Sequence, residues 1–146
     1  MSYDVTQFRG LIKRTLTAFD PAMATPVAVN LLLGTAAQES AFGRYLQQVH
    51  GPAVGAFQME PATFEWLREK YDAKYPELIH RQADEMEWDL RLAIIMARLR
   101  YRAIPLALPE GDVVALAAYW KRHYNTPLGA GTPEEYIANY QRFGLG

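Results

Sequence analysis

The sequence predicts an all-α fold, one domain of about six helices spanning residues 1–146. Three observations predict it. Apolar residues recur at spacings of three and four in several stretches, which is the period of a single helix face. Helix-start signals repeat: Thr25-Pro26 and Thr132-Pro133 set a capping hydroxyl before a first-turn proline, and Pro61 opens a third such stretch. No stretch carries the alternating pattern of a half-buried strand.

The first helix is predicted over residues 5–19. Phe8, Leu11, Ile12, Thr15, Leu16 and Phe19 draw its apolar face, Asp4 caps it and Asp20-Pro21 ends it. The second starts at Thr25-Pro26 and ends near Ala41 to Gly43. Its positions are almost all small or apolar, so it is expected to be buried on most sides. Gly34 in its middle costs up to about 1 kcal/mol against alanine and is expected to admit close approach of another backbone. Residues 43–60 read as a polar, aromatic loop holding Gly43, Gly51, Pro52 and Gly55. Such loops line grooves more often than they fill cores.

The third helix runs from Pro61 to about Tyr71, with Phe64, Trp66 and Leu67 on its apolar side, and Tyr75-Pro76 punctuates a short irregular stretch after it. The fourth is expected from Asp84 to Tyr101. Its arginines, Arg91, Arg98, Arg100 and Arg102, read as a solvated face rather than a phosphate-binding strip. Residues 104–111 form a turn, and Asp112 caps a fifth helix from Val113 to about Tyr124. After the loop Thr126–Gly131, Thr132-Pro133-Glu134-Glu135 opens the last helix as a capping box, and that helix ends near Phe143.

The chain is long enough for one proper core, and its 50% hydrophobic and 21% charged residues are an ordinary globular balance. A net charge of −1 shows none of the basic excess expected of a nucleic-acid binder. The absence of cysteine excludes structural disulfides, thiolate metal sites and a cysteine nucleophile, and leaves the redox compartment open. His50, His80 and His123 lie far apart and form no metal-binding spacing, so neither metal nor cofactor is expected. No phosphate-cradling glycine loop is present, and neither serine, Ser2 or Ser40, lies in a G-x-S-x-G elbow. No run approaches the ~20 apolar residues of a membrane span. The first residues show no charged segment followed by an apolar run, so no secretory signal is expected and delivery beyond the cytoplasm needs another route.

One group stands out chemically. Asn30 to Ser40, NLLLGTAAQES, is a buried helix whose last turn carries a carboxylic acid, Glu39. The negative end of the helix dipole and burial both raise a carboxyl pKa, which favours a proton at neutral pH, as a general acid requires. Glu60 is the best candidate for a second carboxylate, against the plainer reading that it starts the helix at Pro61. The aromatics Phe42, Tyr45, Phe57, Tyr119, Trp120 and Tyr124 gather near these segments and offer faces for sugar rings, although most aromatics in such a domain belong to the core.

Glu39-Ser40-x-Phe42, then Gly55-Ala56-Phe57-Gln58-Met59-x-Pro61-Ala62-Thr63, then Ala117-Ala118-Tyr119 resembles the soluble lytic transglycosylase family of the lysozyme-like superfamily. That family carries an E-S pair ending a buried helix, a G-L-M-Q-x-x-P-A-T segment and a later A-Y-N segment. The match covers roughly residues 27–125, and its second segment is the most specific. The resemblance implies a lysozyme-like helical domain that cleaves the β-1,4 bond between N-acetylmuramic acid and N-acetylglucosamine in the peptidoglycan glycan strand. It implies Glu39 as the sole acid/base, Ser40 in support, and Phe57, Gln58 and Met59 along the glycan groove. It also implies a tyrosine near the acid. The asparagine expected after Tyr119 is Trp120, and a Tyr-Asn pair stands at Tyr124-Asn125, so Tyr119 and Tyr124 both stand as that tyrosine. Compactness resembles a phage enzyme, virion-associated or acting in lysis. The alternatives are a lysozyme-type hydrolase, with Glu60 as partner, and a glycan-binding or phage structural protein of the same fold without turnover.

Overall fold

A computed structural model describes residues 3–125 and 129–145. It holds six α-helices in order: α1 (Val5–Phe19), α2 (Pro26–Ser40), α3 (Pro61–Tyr71), α4 (Leu90–Arg102), α5 (Val113–Trp120) and α6 (Pro133–Arg142). Among the described residues there is no strand. Two isolated antiparallel bridges, Gln47 to Val54 and Val54 to Met59, draw the 43–60 loop into a narrow ribbon. Residues 126–128 of the predicted loop Thr126–Gly131 lie outside the described residues.

All the helices but α3 start where a side chain satisfies a free N–H group. Asp4 accepts from Gln7 N, Thr25 from Ala28 N, Asp112 from Val114 N and Thr132 from Glu135 N. Such a cap is worth about 1 kcal/mol. α2 is the central helix and packs against α1, α4, α5 and α6. From Leu31 to Ala37 every residue is buried, as expected for a stretch with no polar face to turn outward. Gly34 admits a side chain there, not the backbone expected from its sequence. The Tyr136 ring of α6 lies where a Cβ would stand, its hydroxyl oxygen nearest, and that hydroxyl donates to Leu31 O at 3.1 Å.

α4 begins later than the sequence suggests. Residues Ala83–Glu87 form a 3-10 turn, and Asp89 in extended geometry caps α4 through Leu92 N at 3.0 Å. Arg81 ion-pairs with both Glu85 and Asp89, holding the two acids outside the helix. An internal cap tied in this way competes successfully with helix continuation. The arginines of α4 also divide. Arg98 is 7% exposed, not solvated, and its Nε donates to Met23 O at 3.0 Å. Burial pushes its pKa down, and the nearby Arg102 adds to that. α5 ends at Trp120, and the chain then widens into one π turn, Lys121–Asn125. Single π turns of this kind are frequent at functional sites.

Candidate active site

The end of α2 is built to present Glu39. Beyond Ser40 the chain reverses through three consecutive left-handed residues, Ala41 (φ 49°), Phe42 (φ 57°) and Gly43 (φ 81°). The first two carry a Cβ there, at a cost of about 1 kcal/mol or more each. Burial of Phe42, 0% exposed, holds the reversal in place. Ser40 is buried. Its hydroxyl donates to Ala56 O at 2.5 Å and accepts from Gly43 N at 2.8 Å. Ser40 therefore staples the end of α2 to the Gly55–Met59 turn and offers nothing to a ligand directly.

That turn explains the second segment. Val54 and Met59 exchange both backbone hydrogen bonds, and Gln58 N closes the turn on Gly55 O at 3.0 Å. Gly55 has φ 87°, and a Cβ would meet Met86 O at 2.6 Å, so only glycine fits. Gln58 is left-handed, with φ 47°, which swings its side chain out of the core while Phe57 and Met59 stay in it. Both are 1% exposed, so the expectation that these two side chains line a groove is corrected: Phe57 packs on Phe8, and Met59 belongs to the same core. Gln58 borders the groove, its Nε2 donating to Gly55 O at 3.0 Å.

The groove is a cleft of about 580 Å³. Gln38 and Glu39 of α2 and Glu135 of α6 line it, together with Gln58, Glu60 and Thr63, Arg100, Tyr124, Asn125 and residues 129–131. Glu60 is exposed at the start of α3, and its side chain makes no cap, so it is free to face the cleft. Among the described residues no group of His, Asp and Glu is placed to hold a metal ion, and no helix is long and apolar enough to cross a membrane.

The two candidate tyrosines separate. Tyr124 borders the cleft, and its hydroxyl donates to Phe57 O at 2.6 Å. Arg100 stacks on its ring at 4.5 Å and donates to its carbonyl at 2.6 Å. Burial raises the Tyr124 pKa far above its ordinary value, so the hydroxyl stays neutral and donates. Tyr119 instead packs against His123 and Tyr101, outside the cleft lining, and its buried hydroxyl has no partner among the described residues.

Glu39 is half-buried. Burial pushes its pKa up to about 7, against a hydrogen bond from Trp120 and the charge of Arg100, which both lower it. Trp120 Nε1 donates to Glu39 Oε2 at 3.0 Å from a ring that is wholly buried. A carboxyl with this pKa is part protonated and part ionised at neutral pH. It can give a proton and take one back without a large free-energy step either way.

Sequence reasoning missed Trp120 as a partner of Glu39, noting it only where an asparagine was expected. It also missed Arg100, Gln38 and Glu135 as cleft residues. The capping-box pattern did mark Glu135 as held by Thr132, and its carboxylate also accepts from Gln38 at 3.5 Å. No family model matches the chain, and no curated protein or solved structure matches it.

Proposed function

We propose that the chain cleaves the peptidoglycan glycan strand at the β-1,4 bond between N-acetylmuramic acid and N-acetylglucosamine, as a lytic transglycosylase with Glu39 as its one acid/base. The observation that carries the reading is a carboxyl with a pKa of about 7 on the wall of an open cleft. The resemblance of the three segments supplies the substrate class.

The chemistry needs one protein acid. Glu39 gives its proton to the bridging oxygen as the bond from that oxygen to the muramic C1 breaks, and the electron pair leaves with the oxygen. The oxocarbenium-like carbon is stabilised by the substrate's N-acetyl group. The ionised Glu39 then takes the proton of the 6-hydroxyl as that oxygen bonds C1, which closes a 1,6-anhydro ring and restores the acid. Gln58 and Tyr124 border the cleft beside the acid in this reading, Ser40 holds the turn that carries Gln58, and Arg100 limits the rise in the acid's pKa.

Glu60 favours a second reading. It lines the same cleft with no bond to its carboxylate among the described residues, as a base for water would in a lysozyme-type hydrolase. The test of the proposal is clearing of purified peptidoglycan sacculi. The wild-type chain clears them and Glu39→Gln, with unchanged folding, does not. Intact sacculi with well-folded wild-type protein would overturn both enzymatic readings in favour of a glycan-binding or phage structural role.

A further inference from the structure

We propose that Trp120 is a positioning residue that fixes which oxygen of Glu39 carries the proton. The proposal rests on the reading of Glu39 as the acid and is carried by the bond from Trp120 Nε1 to Glu39 Oε2 at 3.0 Å. An indole N–H donates and never accepts. Oε2 must therefore offer it a lone pair in both protonation states. A carbonyl oxygen accepts better than a hydroxyl oxygen, so the bond holds Oε2 as the carbonyl of the protonated acid and leaves the proton to Oε1, the oxygen outside this bond.

The indole cannot turn away. It is fully buried and lies 5.4 Å from the Tyr136 ring, centroid to centroid. A Cβ on Gly131 would come within 2.6 Å of its Cη2, so the glycine at that position makes room for the ring. Tyr136 is held in turn by Leu31 O and the gap at Gly34, two turns before the acid on α2. The α2–α6 packing thus sets the angle at which Trp120 meets Glu39.

The other titratable or charged groups around the acid do not take this role. Arg100 from α4 is held by the Tyr124 carbonyl and ring. Tyr124 spends its hydroxyl on Phe57 O, and Tyr101 from α4 bonds Thr35. Glu60 and Glu135 border the cleft as acceptors when ionised. Among the described residues Trp120 is the side chain hydrogen-bonded to Glu39.

The test needs no substrate. The chain has three tryptophans, and Trp66 and Trp88 are both exposed, so Trp66→Phe with Trp88→Phe leaves one indole N–H signal, that of Trp120. In that background the signal should shift with pH, with the same midpoint as the Glu39 carboxyl carbon, and the shift should vanish in Glu39→Gln. Trp120→Phe should raise the Glu39 midpoint by about one pH unit and move the alkaline limb of the cleavage profile by the same amount. If that variant does not fold, fluorotryptophan in the same background keeps the ring and strengthens the donor, and it should lower the midpoint. An indole signal that stays flat while Glu39 titrates would overturn the proposal. Coupled titration in a wild-type chain that cleaves no glycan would keep the hydrogen bond but overturn its catalytic role, together with the reading of Glu39 as the acid.

Discussion

Glu39 and Arg98 are both charged residues drawn into the helical layers, one from α2 and one from α4, and neither forms an ion pair among the described residues. Their surroundings differ in one respect. Arg98 is closed in, its Nε bonded to the Met23 carbonyl where the chain bends between α1 and α2, and burial and the charge of Arg102 hold its pKa down against the weaker opposing charge of Asp20. Glu39 opens onto a cleft, with one hydrogen bond from a buried indole and one oxygen left over. A buried charge held by the chain away from any cleft fastens a structure, whereas one left partly unsatisfied beside a cleft is available for chemistry. The two residues should therefore respond with opposite signs: loss of the charge at Arg98 should weaken the fold and spare the chemistry, while loss of the charge at Glu39 should do the reverse.

The largest expected effect is on turnover. Glu39→Gln should lower glycan cleavage by at least about 100-fold, the smaller end of what a general acid supplies, while circular dichroism shows the native helix content. A variant that keeps full activity would remove Glu39 from the mechanism. Next comes Arg98→Ala, which deletes a packed side chain and leaves the Met23 carbonyl without its donor. It should cost about 2–4 kcal/mol in urea unfolding, with the rate per folded molecule unchanged. A loss under about 0.5 kcal/mol would show that Arg98 fastens nothing.

Stability against pH sharpens the contrast further. The folded pKa of Glu39, about 7, lies above the ordinary glutamate value of 4.5. Between those two values the unfolded chain gives up this proton while the folded one keeps it, so the wild-type chain loses stability as pH rises through that window and levels off above it. Glu39→Gln cannot lose a proton there. It should match the wild type near pH 4 and exceed it by about 1–3 kcal/mol near pH 8, as read from urea midpoints at both pH values. An equal difference at both would show an ordinary glutamate. The smallest effect is expected at Glu60. Glu60→Gln should change the cleavage rate by less than about threefold, since the transglycosylase route asks nothing of a second carboxylate, whereas a loss on the scale of a general base, about 100-fold or more, would favour the hydrolase.

Much of this arrangement was legible in the sequence. The helix starts other than that of α4 were marked by caps and prolines that act within three residues, and Glu39 stood out because nearly everything around it on α2 is apolar. The side-chain directions were not legible. Left-handed Gln58 reverses the sense of its turn, so Phe57 and Met59 face the core where the segment pattern suggested a groove. Arg98 looked solvated because its spacing along α4 matched the other arginines, and only the path of the chain at Met23 provides a buried acceptor for it. Asp89 resembled an ordinary residue within a longer helix until Arg81 and the Leu92 N–H both claimed its carboxylate. Trp120 meets Glu39 across 81 positions of chain, a distance over which local pattern says nothing.

The measurement that bears most directly on the central claim is mass spectrometry of the products from purified peptidoglycan. With Glu39 as the one acid/base and the substrate's own hydroxyl as nucleophile, the muropeptides should end in 1,6-anhydro-N-acetylmuramic acid, and Glu39→Gln should release none. Products with reducing ends would contradict this account and put water, with a second carboxylate such as Glu60, in the place of the 6-hydroxyl.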